Sequence, residues 1–113
     1  MIDPAELKTA GIHEILCLAG EYSFYVDGLP GTQVRFKIWL MDTELGGDRY
    51  TYTISHHVHT PTQMGPYHTS APFARTEQAC AERAIRDFLS FFQGAIKAGH
   101  QPSTKWLIPN SSF

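Results

Sequence analysis

Histidines cluster in one part of the chain, in the segment His56-His57-Val58-His59 and again at His68. Residues two apart on a β-strand share a face, so His57 and His59 could bind one metal ion, with His68 as a third ligand. Catalytic zinc sites use three protein ligands and a water. This spacing allows an enzyme that binds zinc, another divalent metal or a small molecule at these histidines and the 60–75 loop. The alternative, favoured by the incomplete ligand set, is exposed strand-end histidines and no cofactor.

A second group of residues points to binding rather than catalysis. Arg35, Lys37, Trp39 and Met41 alternate along one face of a predicted strand, and Tyr25 lies on the same face of the predicted sheet. Trp, Tyr and Arg are enriched at protein interfaces. A single helix covers only one face of a sheet, so Trp39 and Met41 need the C-terminal tail, a second copy or a partner to bury them. These five residues are the predicted interaction face.

Aromatic and cationic side chains on an open sheet can also stack nucleic-acid bases, here through Arg35, Lys37, Trp39 and Arg49. The chain has 9 Lys and Arg against 11 Asp and Glu, a net charge of −2, which disfavours phosphate binding. The predicted order of helix, three strands and helix resembles that of double-stranded-RNA-binding domains. That family needs a Lys-rich start to its last helix. Residues 75–82 are acidic overall here, so the resemblance does not carry the activity over.

Nucleophilic catalysis has little support in the sequence. The chain has neither a Gly-x-Ser-x-Gly motif nor a Gly-rich phosphate loop. Cys80 lies near the start of a predicted helix, where a thiolate is stabilised, but Ala79 and Ala81 flank it and indicate a small buried residue. Cys17 lies in an apolar segment and is predicted to belong to the core. We therefore predict no catalytic residue.

The elements that position these residues follow from hydrophobic periodicity and capping signals. Alternation is clearest at 34–41, where Val34, Phe36, Ile38 and Leu40 share the face opposite Trp39. Apolar residues then recur at helical spacing after Thr76, up to Gly99. The predicted elements are a short helix over 3–10, strands within 12–26, at 34–41 and at 49–59, an irregular loop over 60–75, a long helix over 76–99 and an apolar tail over 105–113.

This order predicts an α+β fold in one domain, residues 1–113. We expect a two-layer sandwich of α-β-β-β-α order, in which a short N-terminal helix precedes a three-stranded antiparallel meander and the long C-terminal helix packs on one sheet face. The predicted core lies between sheet and long helix and comprises Phe24, Val34, Phe36, Ile38, Leu40, Tyr52, Ile54, Ile85, Phe88, Leu89, Phe92 and Ile96.

Composition sets the class and compartment that we expect. With 113 residues, 42% of them apolar, and 7 Phe, 5 Tyr and 2 Trp, the chain is typical of a folded domain rather than a disordered one. The start of the chain has no positively charged region before an apolar one, and it has 2 cysteines, which predicts a cytoplasmic protein away from membranes. The favoured function is a small non-enzymatic interaction or regulatory domain that forms a homo-oligomer, such as a homodimer, or binds a protein partner.

Overall fold

A computed structural model describes residues 2–113 as an antiparallel sheet with one long helix, which confirms the α+β class. The molecule is elongated, measuring 53 × 26 × 24 Å. In chain order the elements are a 3-10 turn at Pro4–Leu7, β1 Leu16–Val26, β2 Leu29–Leu45, β3 Asp48–Ile54, β4 His56–Val58, β5 Phe73–Ala74, α1 Glu77–Lys97, a second 3-10 turn at Thr104–Trp106 and β6 Leu107–Pro109.

The strands form two sheets. Strands β1, β2, β3 and β5 lie side by side in that order, and β4 pairs with β6 in a separate two-stranded sheet. All the pairings are antiparallel. The β2–β3 connection is short because Gly46 and Gly47 both have positive φ, which is the requirement of a two-residue type I′ hairpin turn. At one edge of the larger sheet lies β1, and at the other lies the two-residue β5.

Helix α1 packs on one face of the larger sheet, which we call the inner face. The predicted alternation of β2 is confirmed, since Val34, Phe36 and Ile38 are buried against α1 while Arg35 is exposed. The Phe24 ring meets Phe88 of the helix edge-on, with centroids 5.2 Å apart. The helix side of this core consists of Cys80, Ala84, Phe88, Phe92 and Ala95.

The ends of α1 also match the sequence. Thr76 is the N-cap, and its Oγ1 accepts a hydrogen bond from the Ala79 amide at 3.0 Å. At the other end Gly99 has a φ of +96°, and the amide of His100 donates to the Ala95 carbonyl. This left-handed glycine is the expected helix stop. Ile85 and Ile96, predicted as core, are instead partly exposed on the side of α1 that faces β1.

The predicted α-β-β-β-α order is wrong at both ends of the chain. The N-terminal helix is only a 3-10 turn, since the backbone is already extended at Lys8. The third strand breaks at Ser55, whose amide donates to the Arg35 carbonyl and whose Oγ accepts from the Arg35 amide. Beyond this break β4 pairs with β6, a strand formed by the apolar tail. The larger sheet gains its fourth strand, β5, from the end of the predicted loop. The observed element order therefore no longer matches that of double-stranded-RNA-binding domains.

Candidate functional site

The predicted interaction face lies on the outer face of the larger sheet, opposite α1. Arg35, Lys37 and Trp39 of β2 point there, and Tyr25 of β1 does too, with its side chain more than half exposed. The Trp39 indole Nε1 donates to Thr53 Oγ1 at 3.0 Å, which fixes the ring across β2 and β3. Met41 is predicted to need the C-terminal tail, a second copy or a partner to bury it. In the structure this residue is already only 7% exposed.

The two ends of the chain cover the two ends of the outer face. Near Met41, the Arg49 guanidinium binds the Asp3 carboxylate at 2.7 Å and donates to the Met41 carbonyl. This contact holds the N-terminal turn, in which Pro4 is buried. At the opposite end, the Lys37 ammonium lies 4.2 Å from the centre of the Phe113 ring. The middle of the face, around Trp39, lies between these two covers.

The middle of the outer face also carries two leucines that the sequence analysis missed. Leu16 and Leu18 of β1 pair with Met41 and Trp39 of β2, and they are 48% and 49% exposed. We call Leu16, Leu18 and Trp39 the β1 patch. The signal that could have revealed it is the alternation of Leu16 and Leu18 around Cys17, which continues the strand pattern past the irregularity at Ala19.

The patch borders an open sheet edge. Strand β1 is 11 residues long, about 37 Å, and β2 is the strand that it pairs with. Its outward backbone groups are a template for another strand, and exposed apolar side chains beside such an edge favour association. Glu21, the charged residue of β1, lies 3.8 Å from the Arg35 guanidinium, which offsets its charge.

The predicted metal ligands come together only in part. The rings of His57 and His68 touch, with centroids 4.1 Å apart. His59 does not line the cavity that these two share, and its amide donates to the Trp106 carbonyl. Among residues 2–113 no three His, Cys, Asp or Glu side chains are grouped so that they could hold a metal ion. A zinc site needs three or four ligands, so metal binding by His57, His59 and His68 stays a prediction with two of its residues in contact.

The two touching histidines open onto a cavity of about 200 Å³ between β3, β4, the 60–72 loop and α1. Its wall combines aromatic and aliphatic groups with several polar side chains. The lining residues are Tyr52, Thr53, Ile54, His56, His57, Val58, Tyr67, His68, Thr69, Pro72, Ala84, Asp87, Phe88 and Asn110. A concave apolar site with a few convergent polar groups is the usual form of a small-molecule site.

A tyrosine–carboxylate pair joins the sheet to the helix across this cavity. The Tyr52 hydroxyl donates to Asp87 Oδ2 at 2.9 Å. Burial raises the pKa of Tyr52, and the hydrogen bond to Asp87 raises it further. The hydroxyl therefore stays protonated and acts as a hydrogen-bond donor rather than as a base. Sequence patterns could not reveal this pair, because its members are 35 residues apart and Asp87 lies among polar helix positions.

Two histidines that line the cavity, His57 and His56, favour their neutral forms. Burial lowers the pKa of His57, and the nearby His68 lowers it further. Burial also lowers the pKa of His56, with a contribution from the positive charge of Arg35. Ser55 Oγ lies 2.8 Å from Nδ1 of His56, which fixes the ring. Neutral rings offer one acceptor and one donor each, so the site can hydrogen-bond a ligand without adding positive charge.

The two cysteines are free thiols in different surroundings. Cys80 lies on the inner side of α1 and is fully buried, and burial raises its pKa to about 11, so it is a core residue rather than a nucleophile. Cys17 is half-buried on β1.

Comparisons of the chain with protein-family models, with curated proteins and with solved structures found no match. In residues 2–113 no helix has both the length and the apolar character needed to cross a bilayer.

Proposed function

We propose that this protein is a small non-enzymatic interaction domain that self-associates through the β1 patch and the adjacent edge of β1. The observation that carries the proposal is the near half-exposure of Leu16 and Leu18 on an 11-residue edge strand, beside Trp39. The occupant that we assign to this surface is a second copy of the chain. A homodimer suits it because an isologous interface requires one surface that complements itself.

The chemistry of the β1 patch supports a second copy of the chain as its partner. Two copies of β1 can pair edge to edge through their backbones, which needs no sequence complementarity. The apolar side chains of the β1 patch then bury one another. Because Glu21 lies beside Arg35, the edge brings no unbalanced negative charge against its copy. Two free cysteines in the same chain are consistent with a reducing cytoplasm, the compartment that we propose.

Sedimentation equilibrium of the wild type and a Leu18→Lys variant tests this function. Burying a fully exposed leucine stabilises by about 1.5–3 kcal/mol. Leu18 is 49% exposed in the monomer, so about half of this remains to be gained, and a two-fold interface contains the residue twice. We therefore expect Leu18→Lys to weaken the dimer by about 10-fold or more. Folding should be retained, which circular dichroism checks, because Leu18 is half exposed in the monomer.

The matched control is Leu45→Lys. Leu45 is also a leucine and is 50% exposed, but it lies at the C-terminal end of β2 beside the Gly46-Gly47 turn, where it pairs with Asp48 of β3 and not with β1. This control should dimerise like the wild type. A wild type that is monomeric across the concentration range, or equal weakening by the two lysine variants, would contradict the proposed function.

A further inference from the structure

The walls of the cavity at His57 and His68 are held in place by specific contacts, and the proposed self-association does not account for these contacts. Tyr67 forms part of its wall and is held in place, since its amide donates to the Val58 carbonyl at 2.9 Å and its ring lies 4.8 Å from that of Phe91. Asn110, another lining residue, donates to the Ile54 carbonyl at 2.9 Å. The walls are thus fixed by contacts from the loop, the tail and both sheets.

The charged groups in the cavity lining determine whether a cation or an anion binds there. Within residues 2–113, Asp87 is the one Asp, Glu, Lys or Arg side chain in its lining. Asp87 Oδ2 accepts from Tyr52, and Oδ1 has no hydrogen-bond partner in the same residues. A carboxylate with a free oxygen attracts a cation, and the faces of Tyr and Phe rings do so as well. Among residues 2–113 the lining offers an anion no Lys or Arg side chain to offset its desolvation.

The volume and the apolar wall of the cavity indicate the size and character of the uncharged part of the ligand. Val58, Ala84 and Phe88 form an apolar wall. A dry cavity of about 150 Å³ holds benzene, so about 200 Å³ accommodates one ring with a short substituent.

We propose that this cavity binds a small organic amine with one ring. Its ammonium group binds Asp87 Oδ1, and its ring packs against Tyr67 and Phe88. The neutral imidazole of His57 is a further acceptor for an ammonium proton. This inference is independent of the proposed self-association, because the cavity and the β1 patch share no residue.

Three probes of matched shape test the proposal by isothermal titration calorimetry at pH 7.5. Benzylamine is a cation at this pH, benzyl alcohol is neutral and benzoate is an anion. We expect saturable millimolar binding of benzylamine, weaker binding of benzyl alcohol and the weakest binding of benzoate. Asp87→Asn should weaken benzylamine binding about 10-fold or more, as expected for loss of a charge-assisted hydrogen bond, and should leave benzyl alcohol binding nearly unchanged.

Glu82→Gln is the matched control, since it neutralises an exposed carboxylate on the same helix outside the cavity and should bind benzylamine like the wild type. Asparagine at position 87 keeps an acceptor for Tyr52, and the thermal unfolding midpoint of this variant checks that the wall remains folded. Absence of saturable benzylamine binding would overturn the proposal. So would equal binding of benzoate, or equal effects of Asp87→Asn and Glu82→Gln.

Discussion

Replacing Tyr52 by Phe removes one hydroxyl from the contact that joins β3 to α1. In the wild type this hydroxyl donates to Asp87 Oδ2 at 2.9 Å, and Tyr52 is 7% exposed. A hydrogen bond to a charged group contributes about 1.5–3 kcal/mol. Asp87 is only half-buried, so water replaces part of the bond after the change. We expect Tyr52→Phe to lower the free energy of unfolding by about 1–2 kcal/mol.

A double-mutant cycle isolates this bond from other effects of the substitution. Asp87→Ala alone should cost a similar free energy, and the double variant should cost about 1 kcal/mol less than the two single effects together. Urea unfolding at pH 7.5 measures each value. Urea slopes for small proteins are about 1–3 kcal/mol per molar, so a loss of about 1.5 kcal/mol moves the midpoint by roughly 0.5–1.5 M.

Tyr50→Phe is the control for the cycle. Tyr50 is a half-buried tyrosine on the same strand, and its hydroxyl makes no hydrogen bond within residues 2–113. Its loss should change stability by less than about 0.5 kcal/mol. An equal loss in the two Phe variants, or single effects that simply add, would refute the role of the Tyr52–Asp87 bond.

Three further predictions follow from burial and charge. Phe92 is 1% exposed and packs edge-on against Trp106, so Phe92→Ala should cost about 3–5 kcal/mol in urea unfolding, and a loss below about 1 kcal/mol would contradict this core. Burial lowers the pKa of His57 in the folded protein. The contribution of the neutral ring to stability is therefore complete above the pKa of the unfolded chain, about 6.5, and is lost as the pH falls below it. Free energies of unfolding measured from pH 8 to pH 5 should show this decline, and His57→Gln should make it smaller. Mass spectrometry after brief iodoacetamide treatment should find Cys17 alkylated before Cys80, and the reverse order would be inconsistent with the buried, high-pKa thiol.

Local sequence signals predicted the two elements in which a single hydrophobic period dominates, a strand and the long helix. The alternation from Val34 to Leu40 and the stripe after Thr76 each determine which face is buried, because strand and helix periods differ. These two segments supply half of the buried core, 8 of its 16 residues. The structure confirms their faces and the capping of the helix.

Pairings between distant segments account for most errors. The sequence near Asp3 is typical of a helix start, yet the Asp3 carboxylate also binds Arg49, 46 residues away, and the turn ends within four residues. Alternation continues through Ser55, so nothing local indicates that the strand breaks there to pair with the tail. The sequence could suggest that His57 and His68 lie near each other, because they are close along the chain. It could not suggest that Asp87 bonds to Tyr52, because that contact depends on where α1 crosses β3.

Hydrogen–deuterium exchange of the wild type at low and high protein concentration tests the central claim most directly. Self-association through β1 predicts that amides in residues 16–26 exchange more slowly at high concentration, while those of α1 are unchanged. Exchange in β1 that does not depend on concentration, or slowing confined to another surface, would contradict the assignment of the β1 patch as the dimer interface.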